Sequence, residues 1–173
     1  IERRKLMRFL GAKVILTNPA HKGTGMVIKT KELADKHGYY WPNQFENEAN
    51  AWIHQQTTGP EIVNAFAHAG KPLDHFVCSY GTGGTLLGVG SYLRKESPNT
   101  KIHVCEPDNA PMLYSEIPTV YPEDGKPSTS FDVAHPAWRP HLLQGWAADF
   151  IPKLVNEAKE KKVFDSVLHV GGN

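Results

Sequence analysis

The chain has 173 residues, is 40% hydrophobic, and carries 19 Lys+Arg against 18 Asp+Glu. That length suits one domain, or one domain with part of another. The balanced charge argues against a nucleic-acid surface or an acidic tail, and the apolar runs are far too short to span a bilayer.

Ile1-Glu2-Arg3-Arg4-Lys5 is followed by no apolar stretch and does not read as a signal peptide. With no initiating Met and a helical pattern from the outset, an internal piece of a longer protein is expected. Leu6, Phe9 and Leu10 share one helical face, and Gly11 supplies a stop. Ala12 to Thr17 reads as a short strand, Asn18 to Gly25 as a loop, and Met26 to Lys36 as a helix that Gly38 ends. Tyr39 to Asn50 is aromatic and polar without clear periodicity. Thr58-Gly59-Pro60-Glu61 matches a capping box, in which the Thr hydroxyl and the Glu carboxylate cover orphan N–H groups. Ile62, Val63, Phe66 and Ala67 then form the stripe of a helix closed by Gly70.

His75 to Tyr80 reads as a strand, Gly81 to Thr85 as a turn, Leu86 to Lys95 as a helix and Ile102 to Glu106 as the next strand. Strand, helix and strand within such a span form a βαβ unit, which implies a parallel sheet. Cys78 and Cys105 fall inside these strands. Two cysteines are too few for a secreted disulfide framework, so buried free thiols in a reducing, cytoplasmic or organellar setting are expected. Residues 108–140 are rich in proline and read as an irregular excursion. Leu142 to Val155 reads as partly helical and Val167 to Val170 as a further strand.

The strongest chemical signal is Gly81-Thr82-Gly83-Gly84-Thr85. Glycines let several N–H groups point into one concavity. The helix behind offers its N-terminus, which favours an anion. The place, after a parallel strand, is where open α/β sheets bind ligands. A phosphate is the expected ligand, although a plain tight turn would use the same glycines. Leu86 stands where a dinucleotide fingerprint needs its third glycine, and the Gly-Lys-Ser/Thr of a nucleoside-triphosphate loop is absent.

This turn resembles the phosphate-binding loop of the cysteine synthase (O-acetylserine sulfhydrylase) family, fold type II pyridoxal-phosphate enzymes. Glu2-Arg3-Arg4 with Gly11-Ala12 and Leu16-Thr17 is similar to another stretch of that family. So are Gln44-Phe45-Glu46-Asn47, Ala49-Asn50, His54 and Thr57 to Ile62, the pair Glu106-Pro107, and His141 to Gly145 with Phe150-Ile151-Pro152. The resemblance implies an incomplete three-layer α/β fold with a parallel sheet. Residues 1–40 would belong to a smaller domain and residues 41–173 to a larger one that binds pyridoxal phosphate. It implies that Gly81, Thr82, Gly83, Gly84 and Thr85 hold the cofactor phosphate and that Gln44 approaches the substrate carboxylate. Gly145 would lie beside the cofactor ring and allow domain closure. His54 receives no role.

None of the fourteen lysines has the Ser-x-Lys-Asp setting of the family's Schiff-base lysine, so that residue is expected outside this chain and the chain alone is expected to be inactive. Glu48 replaces a usual proline, and Trp146-Ala147-Ala148-Asp149 replaces a smaller, glycine-containing stretch. The implied reaction is β-substitution, giving L-cysteine from O-acetylserine and sulfide, by a protein expected to be a homodimer. A cystathionine β-synthase-like enzyme is the nearest rival, which Gly59-Pro60 disfavours. A non-catalytic interaction subunit is another.

Overall fold

The computed structural model describes residues 1–118 and 134–171; the middle of the expected excursion, 119–133, and Gly172 and Asn173 lie outside the described residues. Its centre, among the described residues, is a sheet of three parallel strands in the order β1 (His75–Ser79), β2 (Lys101–Pro107), β3 (Ser166–Val170). The register sets Phe76 beside Ile102, Cys78 beside Val104, and Val104 beside Val167, so one face of the sheet is apolar.

That face carries the main core. Helix α5 (Gly84–Glu96) crosses from β1 to β2 and buries Leu86, Leu87, Val89 and Leu93. Helix α6 (Lys153–Glu160) adds Leu154, Val155 and Ala158. Full burial of each Leu or Val contributes about 1.5–3 kcal/mol, which is why this unit organises the rest. Helix α5 is buried on most of its circumference because α6 and an upstream helical run also pack on it.

The upstream run begins with α1 (Glu2–Phe9), which buries no residue, and α2 (Lys22–His37), which ends at a left-handed Gly38. It continues through α3 (Glu48–Ile53), a π-turn (His54–Thr58) and α4 (Gly59–His68). A second, smaller core joins Val27 of α2 to Phe150, with Trp41, Phe45 and Ala148 packed around them. The opposite face of the sheet is open: Val77 is 54% exposed and Leu168 is 41% exposed. On that face His75 Nδ1 lies 2.9 Å from His103 Nε2, and His103 Nδ1 lies 2.7 Å from Ser166 Oγ. Among the described residues no helix is long and apolar enough to cross a membrane.

The structure departs from the sequence reading at five places. Ala12 to Thr17 is not a strand: it finds no ladder partner, and Ile15 and Leu16 stay exposed. Helix α2 starts at Lys22 rather than Met26, because Gly23 and Gly25 are helical residues at close approaches to Asp149 and His21. Glu48 opens a helix in the stretch that showed no periodicity, capped by the Asn47 side chain, which accepts from Ala49 N–H at 3.0 Å. The capping box is not made. Thr58 remains helical (φ −60°, ψ −43°) because helix already precedes it, and its hydroxyl turns to His54. Residues 142–152 are irregular, and the helix begins only after Pro152.

Candidate functional site

β1 brings Tyr80 to the C-terminal edge of the sheet, where the chain turns through Gly81 to Thr85 into α5. Gly83 is the N-cap, in the left-handed region at φ 92°, which L-residues with a Cβ disfavour. A Cβ at Gly83 would lie 2.5 Å from Val155 Cγ2 and 2.8 Å from Val155 N. One at Gly84 would collide with the Asn50 side chain, and one at Gly81 with the Gly145 carbonyl oxygen. The glycines therefore serve close packing as well as any ligand.

The N–H groups that open α5 have no carbonyl one turn back. The Gly84 N–H reaches Thr82 Oγ1 at 3.4 Å, and the same oxygen accepts from Asn50 Nδ2 at 2.9 Å. With both lone pairs engaged, the Thr82 hydroxyl has its proton left to donate. Asn50 Nδ2 also donates to the Gln44 carbonyl at 2.7 Å. Thr85 is exposed at the helix start, and its hydroxyl lies 3.3 Å from His54 Nε2. His54 Nδ1 lies 2.9 Å from Thr58 Oγ1. The tautomer protonated on Nε2 would accept from Thr58 and donate to Thr85, leaving the Thr85 proton for a ligand.

Gly145 is exposed, has φ 80°, and has open space where a Cβ would stand. Two residues on, the Ala147 N–H donates to the Tyr80 carbonyl at 2.8 Å. The structure thus brings Gly81 to Thr85 and Gly145 together. Gln44 stands one step away: its carbonyl is tied to Thr82 through Asn50, and its side chain is exposed.

Behind the turn, Glu106 is fully buried. Its carboxylate accepts from Tyr80 OH, Leu113 N–H and Tyr114 N–H, each at 3.0 Å, and His169 Nε2 stands 3.7 Å away. Burial, with the Glu106 charge second, holds the Tyr80 phenol well above its usual range. Burial likewise pushes the Cys78 thiol up to about 12, so it is a neutral core group rather than a nucleophile.

The donor set suits a phosphate monoester: helix-start N–H groups and two hydroxyls, with no carboxylate among the hydrogen bonds of the turn to the described residues. Glycine chemistry revealed the turn in the sequence, but Asn50 and His54 escaped that reading. Their spacing of four, from α3 into the π-turn, was the available signal, since both elements pack on α5.

The sequence matches the family described as pyridoxal-phosphate dependent enzyme over residues 1–170. It is 40% identical over 172 residues to a cysteine synthase of Staphylococcus aureus (strain N315), covering 99% of this chain and 47% of that protein. An O-ureido-L-serine synthase of Streptomyces lavendulae is 40% identical over 159 residues, 91% of this chain and 42% of that protein. A crystal structure of O-ureido-L-serine synthase superposes with a TM-score of 0.78 at 36% identity, over 99% of this chain and 46% of the other. The chain thus spans about half the length of the curated relatives it matches.

Proposed function

Because the chain belongs to the pyridoxal-phosphate dependent enzyme family, we propose that the complete protein forms L-cysteine from O-acetylserine and sulfide by β-substitution. The carbon–oxygen bond to acetate breaks, the carbon–sulfur bond forms, and acetate leaves. Pyridoxal phosphate, when bound, supplies the electron sink for the carbanionic character that develops at the substrate α-carbon. The observation that carries the reading is the donor-lined turn at the C-terminal edge of β1.

In this reading the N–H groups of Gly83 to Leu86 and the hydroxyls of Thr82 and Thr85 bind the cofactor phosphate. Asn50 orients the Thr82 hydroxyl and His54 that of Thr85. Gly145 leaves room beside the ring, and Gln44 approaches the substrate carboxylate. The hydrogen bonds around the turn run to Asn50 and His54, and a Schiff-base lysine outside these residues is part of the same proposal. The smaller domain of residues 1–40, the homodimer and a cytoplasmic setting belong to the same proposal.

A second reading keeps the chemistry and changes the nucleophile. The Streptomyces lavendulae relative, named for making O-ureido-L-serine, has the same 40% identity as the Staphylococcus aureus protein, over 159 rather than 172 residues. Trp146, which directly follows Gly145 and packs against the main core, is the residue that would reshape the substrate side in this reading.

The test is to purify the complete polypeptide with pyridoxal phosphate and supply O-acetylserine with sulfide, homocysteine or hydroxyurea. Sulfide-dependent cysteine formation with stoichiometric acetate release is expected, and residues 1–173 alone should give no turnover. Product with hydroxyurea and none with sulfide would favour the second reading. Product with homocysteine alone would restore the cystathionine β-synthase-like alternative.

A further inference from the structure

Asp149 is 2% exposed, yet no role has fallen to it. Its carboxylate receives the Thr24 N–H at 3.2 and 3.3 Å and the Thr24 hydroxyl at 2.8 Å. Thr24 is itself 4% exposed and lies 125 residues away in the sequence. It is the third residue of α2, where the N–H has no partner within the helix and the helix dipole favours a carboxylate. Gly23 makes the approach feasible, since a Cβ there would stand 2.6 Å from Asp149 Oδ1.

The segment carrying Asp149 is held on several sides. Its carbonyl accepts from His135 N–H at 2.7 Å. Phe150 packs in the smaller core with Val27 of α2, and its ring meets Phe45 edge-on at 5.0 Å. Phe45 directly follows Gln44. At the other end, Gly145 touches Gly81 and Ala147 bonds to Tyr80. One short stretch therefore contacts the glycine turn, the Gln44 loop and the start of α2. Beside the Thr24–Asp149 pair lies a cavity of about 520 Å³, bordered also by Leu16, Lys22 and Ile28, into which α2 could shift if released.

We propose that Asp149 is a positioning residue, whose carboxylate clamps the start of α2 onto the Gly145 segment and so fixes the substrate side of the site against the cofactor turn. It touches neither substrate nor cofactor. Its effect passes through Phe150 and Phe45 to the Gln44 loop, and through the backbone to Gly145. The proposal rests on the function given above.

The experiment compares the complete cofactor-loaded enzyme with Asp149→Ala, Asp149→Asn and Thr24→Val. Four quantities are read: amide hydrogen exchange over residues 22–27, cofactor affinity, and KM and kcat for the amino-acid substrate. In Asp149→Ala, loss of a buried charged acceptor should speed exchange at the start of α2 by about ten-fold or more. KM should rise about five- to ten-fold, while kcat and cofactor affinity stay within about two-fold, because orientation of the substrate side is lost and the phosphate turn is not. Thr24→Val should shift the same quantities less, and Asp149→Asn, which keeps one oxygen acceptor, should fall between. Unchanged exchange in both Asp149→Ala and Thr24→Val overturns the clamp, and so does a KM that stays put while exchange rises. A fall in cofactor affinity matching the rise in KM also overturns it. If Asp149→Ala fails to fold, the other two variants decide by the same criteria. A wild-type enzyme that binds no pyridoxal phosphate overturns the proposed function, and the exchange rates still judge the clamp.

Discussion

Gly83 answers to two demands at once. Its φ of 92° costs a residue with a Cβ about 1–3 kcal/mol. The same Cβ would press on Val155 and the Leu154 carbonyl carbon, adding an overpacking cost of about 1–3 kcal/mol. Gly83→Val is therefore expected to lower the melting temperature of the cofactor-free protein as well as cofactor affinity. Calorimetry and a pyridoxal-phosphate titration measure the two, and an unshifted melting temperature would refute the packing half. From sequence alone the substitution reads as a ligand effect with little loss of fold, because Val155 lies 72 positions further along and no local pattern ties it to the turn. The turn itself was legible, since a glycine cluster between a strand pattern and a helix pattern is a local signal. Asn50 and His54 were not, because their meaning comes from facing α5. Thr58 and Glu61 mislead for the opposite reason: the local pattern of a helix start is present, but the preceding residues are helical already.

The run α3, π-turn and α4 works as a bracket for α5. A Cβ at Gly88 would stand 2.8 Å from His54 Cβ, and one at Gly59 would stand 2.8 Å from Tyr92 Cβ, so the elements meet almost backbone to backbone. The π-turn advances the helix face: Asn50 and Ala51 meet α5 before it, His54 at its first residue, and Gly59 after it. The Thr57 hydroxyl donates to the Ile53 carbonyl at 2.7 Å, covering an acceptor where the ladder widens. Asn50→Ala removes the donor shared by Gln44 and Thr82 without touching this backbone contact. Cofactor affinity should fall about 2- to 10-fold, the worth of a hydrogen bond or so, with the far-ultraviolet circular dichroism unchanged. Wild-type affinity in that variant would remove Asn50 from the site. The strands were readable as elements because each is a short stretch carrying Val, Ile or Phe at alternating or nearby positions. Ala12 to Thr17 is richer still in Val, Ile and Thr and finds no neighbouring strand among the described residues, which sequence periodicity cannot supply.

A parallel sheet normally has both faces covered, and here one face leaves Val77 and Leu168 exposed beside the His75–His103–Ser166 chain. The α1 region adds exposed Leu6, Phe9, Leu10, Ile15 and Leu16. Such surfaces associate, so residues 1–173 expressed alone should form concentration-dependent oligomers in sedimentation velocity. A single monomer boundary across a hundred-fold concentration range, as a rough span over which weak association shows, would contradict this. The link between Thr24 and Asp149 has a consequence for the order of events in folding. Tyr80 and Glu106 are 26 residues apart, whereas Thr24 and Asp149 are 125 apart. Closing the longer loop costs about 1.4 kcal/mol more chain entropy. The βαβ unit can therefore assemble early on contacts that are near in sequence. Helix α2 is expected to dock after the βαβ unit, and on heating its amides should exchange before those of that unit.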